Sequence, residues 1–143
     1  MAEIVSYKDL DVWKNNRLLV KSVYQLSKLF PKDEQYGLTN QIRRAAVSGP
    51  SNIAEGCGRN HFKDSIQFFF IARASLYELE TQLIVANDLE YISELQLTRI
   101  LEQVTRCKKL INGFINYYQK QTNNHQPTTI NETIEEYGNS NKN

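Results

Sequence analysis

Five cations stand out by type and spacing. Arg43 and Arg44 are adjacent, Arg59 and Lys63 flank His61, and Arg73 follows in the next apolar-periodic stretch. Guanidinium groups repeated along two successive helical segments suit phosphate, because the planar fork matches two of its oxygens. The same residues have an intramolecular use, Arg43 or Arg44 with Glu55 and Arg73 with Glu78 or Glu80, since half-buried charges need partners. Contacts across a subunit boundary are a third use. Arg43, Arg44, Arg59, Lys63 and Arg73 are therefore the candidate phosphate contacts, with internal pairing left open beside that role. Asn52 and Glu55 lie one helical turn apart just beyond Pro50. A carboxylate there can receive a freed backbone amide or an arginine, which makes the pair a structural polar motif. Catalysis at Glu55 would need a second positioned titratable group and a pocket, and the sequence offers neither.

Other chemistries can be tested on the letters. A di-metal carboxylate site in a helical bundle needs Glu-x-x-His on two helices, yet no Glu precedes a His at that spacing, and the histidines are His61 and His125 alone. Cys57 and His61, with Cys107 as an outside third ligand, lack the paired Cys-x-x-Cys of a zinc site and read as packed thiols at helical positions. Gly56-Cys57-Gly58 lacks the third glycine and the preceding strand of a dinucleotide fingerprint, and no glycine-rich loop ends in Gly-Lys-Ser/Thr. Ser48, Ser51, Ser65 and Ser75 have no neighbouring histidine to activate them. No enzyme activity, metal or cofactor is expected.

The elements that must position these residues are helical. Val12, Leu19, Val23, Leu26 and Phe30 recur at threes, fours and sevens, which predicts a helix over about residues 8–30 ended by Pro31. Leu38, Ile42, Ala45, Gly49, Ile53 and Gly56 mark a second, with Thr39 as its N-cap and Gly56-Cys57-Gly58 as a left-handed stop. Pro50 inside it removes a ladder donor and predicts a kink at Gly49-Pro50. Phe62 to Ala86 forms a third, wide apolar stripe that Asn60 can cap, ending at Asn87-Asp88. Ile100, Val104, Cys107, Ile111, Phe114 and Tyr118 form a fourth from about Ser93. No strand alternation appears. From Gln121 the sequence turns to Asn, Thr, Gln, Glu and Ser, which predicts a disordered tail over 121–143.

The whole chain has 143 residues with 17 Lys plus Arg, 16 Asp plus Glu and net charge +1, enough for one domain and without a dominant field. Residues 1–120 hold 16 basic and 13 acidic side chains, net +3, and the tail is net −2. With two cysteines, no membrane-length apolar run and no basic-then-apolar leader, a reducing cytoplasm is expected and a membrane is not. Phe62, Phe68, Phe69 and Phe70 exceed what one seam buries, which predicts a homo-oligomer.

Three stretches carry a family likeness: Tyr7-Lys-Asp-Leu-Asp-Val-Trp13, Phe30-Pro31 running through Tyr36-Gly-Leu-Thr-Asn-Gln-Ile-Arg-Arg-Ala-Ala46, and Pro50-Ser-Asn-Ile-Ala-Glu-Gly56 continuing to Ser75-Leu-Tyr-Glu-Leu-Glu-Thr-Gln-Leu83. The chain resembles the four-helix bundle family encoded by intervening sequences of bacterial 23S rRNA genes. The resemblance makes Pro50 a family feature, with Gly49 standing where a larger aliphatic is usual and leaving more room. It implies a ring-like homo-oligomer, often a pentamer, and a relation to accessory proteins of diversity-generating retroelements, which work with nucleic acid and are more basic than this chain.

The expectation is thus an all-α, antiparallel up-down-up-down four-helix bundle over 1–120 with a polar tail over 121–143. It is non-catalytic, associates with itself, and meets RNA or DNA through arginines of the second and third helices. A protein–protein scaffold ring with no nucleic-acid role is the alternative.

Overall fold

Ser6 and Asp9 close a capping box around a single 3-10 turn, Tyr7–Asp9: the Ser6 hydroxyl accepts from the Lys8 amide, and the Asp9 carboxylate accepts from the Ser6 amide. That turn takes the place of the expected first helical turn, so helix α1 starts at Asp11 and runs to Ser27. In the computed structural model, which describes residues 6–124 and 130–141, four further helices follow. They are α2 (Leu38–Cys57), α3 (Phe62–Asp88), α4 (Glu94–Asn124) and α5 (Ile130–Ser140). A second 3-10 turn, Lys32–Glu34, lies between α1 and α2. All the regular structure among the described residues is helical. Packing forms a cycle: α1 lies against α2 and α4, and α3 lies against α2 and α4.

Several helix ends differ from expectation, each for a local reason. Thr39 is buried inside α2, and Gly37 precedes the helix. Glu34 supplies the missing acceptor, its Oε2 taking the Leu38 amide at 2.8 Å while its Oε1 accepts the Tyr91 hydroxyl at 3.2 Å. The carboxylate at a helix N-terminus is also favoured by the helix dipole. Asn60 does not cap α3; His61 precedes it in extended conformation and makes no side-chain cap bond. At α4 the expectation holds, with Ser93 and Gln96 bonding each other's backbone amides reciprocally. The glycines at 56 and 58 are not a left-handed stop, since no described glycine has positive φ. Gly56 serves packing: a Cβ there would lie 2.4 Å from the Phe69 ring and 2.9 Å from the Ser65 carbonyl.

α2 continues without a break through Pro50. The room left by Gly49 is filled by Asn16 of α1, whose Oδ1 would be 2.7 Å from a Cβ at 49. Asn16 is 1% exposed, and its amide donates to the Val12 carbonyl at 2.7 Å. The core between the helices is built from the predicted stripes, including Val12, Leu19, Val23, Ile42, Ile53, Leu76, Leu79, Leu83, Val104 and Ile111. At one end it becomes aromatic, with Phe69, Phe114 and Tyr118 centroids 4.7–4.9 Å apart.

The polar composition after Gln121 predicts a disordered tail over 121–143, of which residues 125–129 and 142–143 lie outside those described; the described part includes two helical stretches. α4 runs on to Asn124, and α5 lays Ile134 and Tyr137 onto the aromatic end, 3% and 7% exposed. Tyr137 packs on Phe114 and Tyr117, and the Tyr117 hydroxyl donates to Glu136. A short amphipathic stripe in a polar stretch contributes little to composition yet suffices once an apolar surface receives it.

Candidate nucleic-acid interface

The five candidate cations separate into three places. Arg43 and Arg44 lie on the outer side of α2 and line one groove of about 760 Å³ with Tyr24, Tyr36, Asn40 and Val47. Arg59 and Lys63 lie at the α2–α3 turn, exposed. Arg73 is half-buried on α3 and bonds to α4. Sequence spacing places neighbours along one helix but cannot show which face looks at which helix, and here the faces diverge.

Arg43 is held from two sides. Its Nε donates to the Ser27 hydroxyl at 2.8 Å, and its guanidinium carbon sits 4.7 Å from the Tyr24 ring centroid. Ser27 in turn donates to the Tyr24 carbonyl at 3.2 Å. The plane of the fork is therefore fixed, while its terminal amino groups make no protein hydrogen bond among the described residues. Arg44 is exposed, with no ion pair among the described residues. It also borders a smaller polar groove of about 330 Å³ between α2 and α3, with Ser48, Ser75 and Glu78. The larger groove has no acidic residue in its described lining, and it is bordered by two arginines, of which Arg43 is held in place.

The other cations are engaged within the chain, with partners other than those expected. Glu55 accepts from Arg59, one turn on, at 2.9 Å, and not from Arg43 or Arg44. Arg73 donates to Asn112 of α4 at 3.2 Å in place of Glu78 or Glu80. Glu80 pairs instead with Lys108, whose ammonium also lies 4.1 Å from the Tyr77 ring centroid and whose pKa burial lowers. The reason is geometric: i,i+4 partners and facing helices are closer than residues that merely share a stretch of sequence. Arg59 and Arg73 also cover Phe68 and Phe70, at 4.5 and 5.1 Å from the ring centroids. Those half-buried phenylalanines are thus shielded by their own chain. Exposed apolar surface lies elsewhere, at Leu18, Leu29 and Leu95, which are 60%, 57% and 58% exposed.

Asn52 works as a polar pin. Its amide donates to the Ser48 carbonyl at 2.8 Å and to the Ser48 hydroxyl at 2.9 Å, and Ser48 meets the Ser75 hydroxyl of α3 at 2.7 Å. Tyr24, Tyr36 and Asn40 are the groove residues that sequence reasoning missed. Tyr24 and Arg43 belong to different helices, so no spacing rule joins them; Tyr36 could have been noticed as an aromatic in a short polar connection.

Cys57 and Cys107 are buried, and burial pushes each thiol from 9.0 up to about 12. The Tyr118 hydroxyl, raised in pKa by burial, faces Cys57. Among the described residues no three His, Cys, Asp or Glu side chains gather as metal ligands, and no helix is long and apolar enough to cross a membrane.

Comparison with known proteins places this geometry in a lineage. Residues 8–113 match the family model described as 23S rRNA-intervening sequence protein. A solved structure with a TM-score of 0.68 and 25% identity covers 73% of this chain and 97% of its own. It is a protein of unknown function from the S23 ribosomal protein family of Bacteroides thetaiotaomicron VPI-5482. No curated protein matches.

Proposed function

Starting from a chain that belongs to the 23S rRNA-intervening sequence protein family, we propose a non-catalytic, cytoplasmic helical module that associates with itself and holds RNA at the Arg43–Arg44 groove. The helices are taken as an antiparallel up-down-up-down bundle, which the short connections and the cyclic packing favour. One observation carries the RNA reading: two arginines, one with its plane fixed by Ser27 and Tyr24, share a groove without an acidic lining residue among those described. Phosphate fits such a place because its oxygens accept from guanidinium forks and its charge meets no competing carboxylate. Arg59 and Arg73, engaged on Glu55 and Asn112, contribute less, and Lys63 acts at the periphery.

The test is a salt titration of the purified protein against a structured rRNA fragment, with Arg43→Gln/Arg44→Gln beside the wild type. Binding that weakens steeply with log salt, and a shallower slope in the variant, is the expected result. An affinity and slope unchanged by the double substitution would remove the groove from the function. Light scattering on the same sample is expected to give a mass above the 16.6 kDa of one chain; a monomer at working concentration overturns self-association.

A scaffold reading has its own support. Leu18, Leu26 and Leu29 border two adjoining grooves along the α1–α4 seam, of about 300 and 470 Å³, which Arg99 and Arg106 flank. If RNA does not bind even at low salt, that seam becomes the surface to test against protein partners.

A further inference from the structure

We propose that the Arg43–Arg44 groove takes a single-stranded segment of nucleic acid, with one unpaired base laid on the ring of Tyr36. The proposal rests on the nucleic-acid reading of the same groove and narrows it to a ligand class. Tyr36 is 90% exposed, the most open of the large apolar and aromatic side chains in the described chain. It stands on the α1–α2 connection at the margin of a concavity whose floor is the polar face of α2. An aromatic ring left in water beside a cationic groove gains by covering its face, and a nucleobase covers it while bringing a phosphate to the arginines.

The ring of Tyr24 is already occupied, because the Arg43 guanidinium lies over it. The two tyrosines therefore have different tasks. Tyr24 orients a phosphate donor, and Tyr36 remains available for stacking. Gln35 and Asn40, also in the lining, present amides with both a donor and an acceptor, the functional groups that meet an unpaired base edge.

Duplex does not suit this arrangement. Paired bases are stacked on one another and expose no face to Tyr36, and a convex cylinder reaches the groove only along its rim. The charge count sets the expected salt dependence. Two arginines neutralise about two phosphates, which predicts a salt slope of about −1.4 per protomer on a single strand.

The test compares a short unstructured oligouridylate with an RNA duplex of the same length by fluorescence anisotropy, using the full chain, Tyr36→Ala, Tyr36→Phe and Arg44→Gln. Circular dichroism checks that each variant keeps its helices, as expected for residues on the surface. The single strand should bind at least about tenfold tighter than the duplex, and Tyr36→Ala should lose about tenfold while Tyr36→Phe keeps the wild-type affinity. Tyr36→Ala should leave the salt slope unchanged, whereas Arg44→Gln should reduce it. Equal affinity for strand and duplex, or an affinity indifferent to Tyr36→Ala, overturns this proposal. If Arg44→Gln still weakens RNA binding in that case, the broader reading of the groove stands; absence of any binding by the wild type at low salt overturns both.

Discussion

Gly56 and Gly113 both sit in helices, yet a methyl group at each would have opposite consequences. At Gly56 the added carbon would meet the Phe69 ring at 2.4 Å and the Ser65 carbonyl at 2.9 Å, and Phe69 is itself fully buried between Phe114 and Tyr118. Neither neighbour can retreat, so Gly56→Ala should cost about 1–3 kcal/mol through overpacking. At Gly113 an added Cβ would meet nothing within 4 Å beyond its own stretch of helix. There the substitution restricts only the unfolded chain and should add about 0.5–1 kcal/mol. Urea melts of the two variants check the pair: equal effects would mean that the close approach of α2 to α3 at Gly56 is not a constraint on stability. The cysteines give a second residue-scale expectation. Burial holds the Cys57 and Cys107 thiols protonated to about 12, against 9.0 in the unfolded chain. Between those values the unfolded chain releases protons that the folded chain retains, so stability falls as pH rises above about 9. Below that the two states bind the same protons at these sites and the contribution is constant. The urea midpoint should therefore decline from about pH 9 upward, and less so in Cys57→Ala/Cys107→Ala than in the wild type. Identical pH profiles for the two proteins would refute that assignment.

α5 is the element whose contribution is most readily isolated. Its attachment rests on Ile134 and Tyr137, with Tyr137 4.8 Å from Phe114 and 5.3 Å from Tyr117 between ring centroids, and on the bond from the Tyr117 hydroxyl to Glu136. Tyr137→Ala removes the aromatic anchor and should lower stability by about 2 kcal/mol, less than for a central core ring because the helix can lift away without leaving a closed cavity. Increased dye binding at the uncovered Phe114 and Tyr117 should accompany it. A melting temperature equal to that of the wild type would mean that α5 is not held by this contact. α5 also lies beyond residues 8–113, the part matching the family model, so its cover over the aromatic end is an addition to the matched region. α2 illustrates how one element serves two purposes. Its inner side, with Ala45, Ala46, Gly49 and Gly56, admits close approach of α1 and α3, while its outer side carries Arg43 and Arg44 to the groove. Small residues inside allow a helix to lie deep, and that depth brings Tyr24 of α1 within reach of Arg43.

At the scale of the whole molecule the charge is nearly balanced, +1 over 143 residues, so the proposed affinity for nucleic acid would have to come from local arrangement and repetition. A groove bordered by two arginines would be a modest site alone. On the proposed reading, assembly would multiply it, since sites displayed on one particle bind a long strand together and raise effective concentration. The salt titration and the light scattering proposed above are therefore linked: a protein that binds RNA steeply while monomeric would need more cations per chain than the groove contains.

The helices themselves were determined by the sequence alone. Apolar residues at threes and fours from Val12, Leu38, Phe62 and Ile100 onward follow from the 3.6-residue turn, and most of the core positions they predict are buried, with Leu26, Leu38 and Phe62 partly so. Helix ends were less legible: Glu34, not Thr39, satisfies the first amide of α2, because an acceptor four residues upstream could reach it through an intervening turn. The stretch after Gln121 was less legible, because composition averages away a two-residue stripe that matters only when Phe114 and Tyr117 are there to receive it. Tertiary structure alone decided which cations stand together. Arg43 and Arg44 share a groove with tyrosines from another helix and from a connection, whereas Arg59 and Arg73 turn to Glu55 and Asn112. The physical reason is that spacing along a chain fixes the face of one helix, but a site needs the faces of several, and their mutual rotation is set by packing.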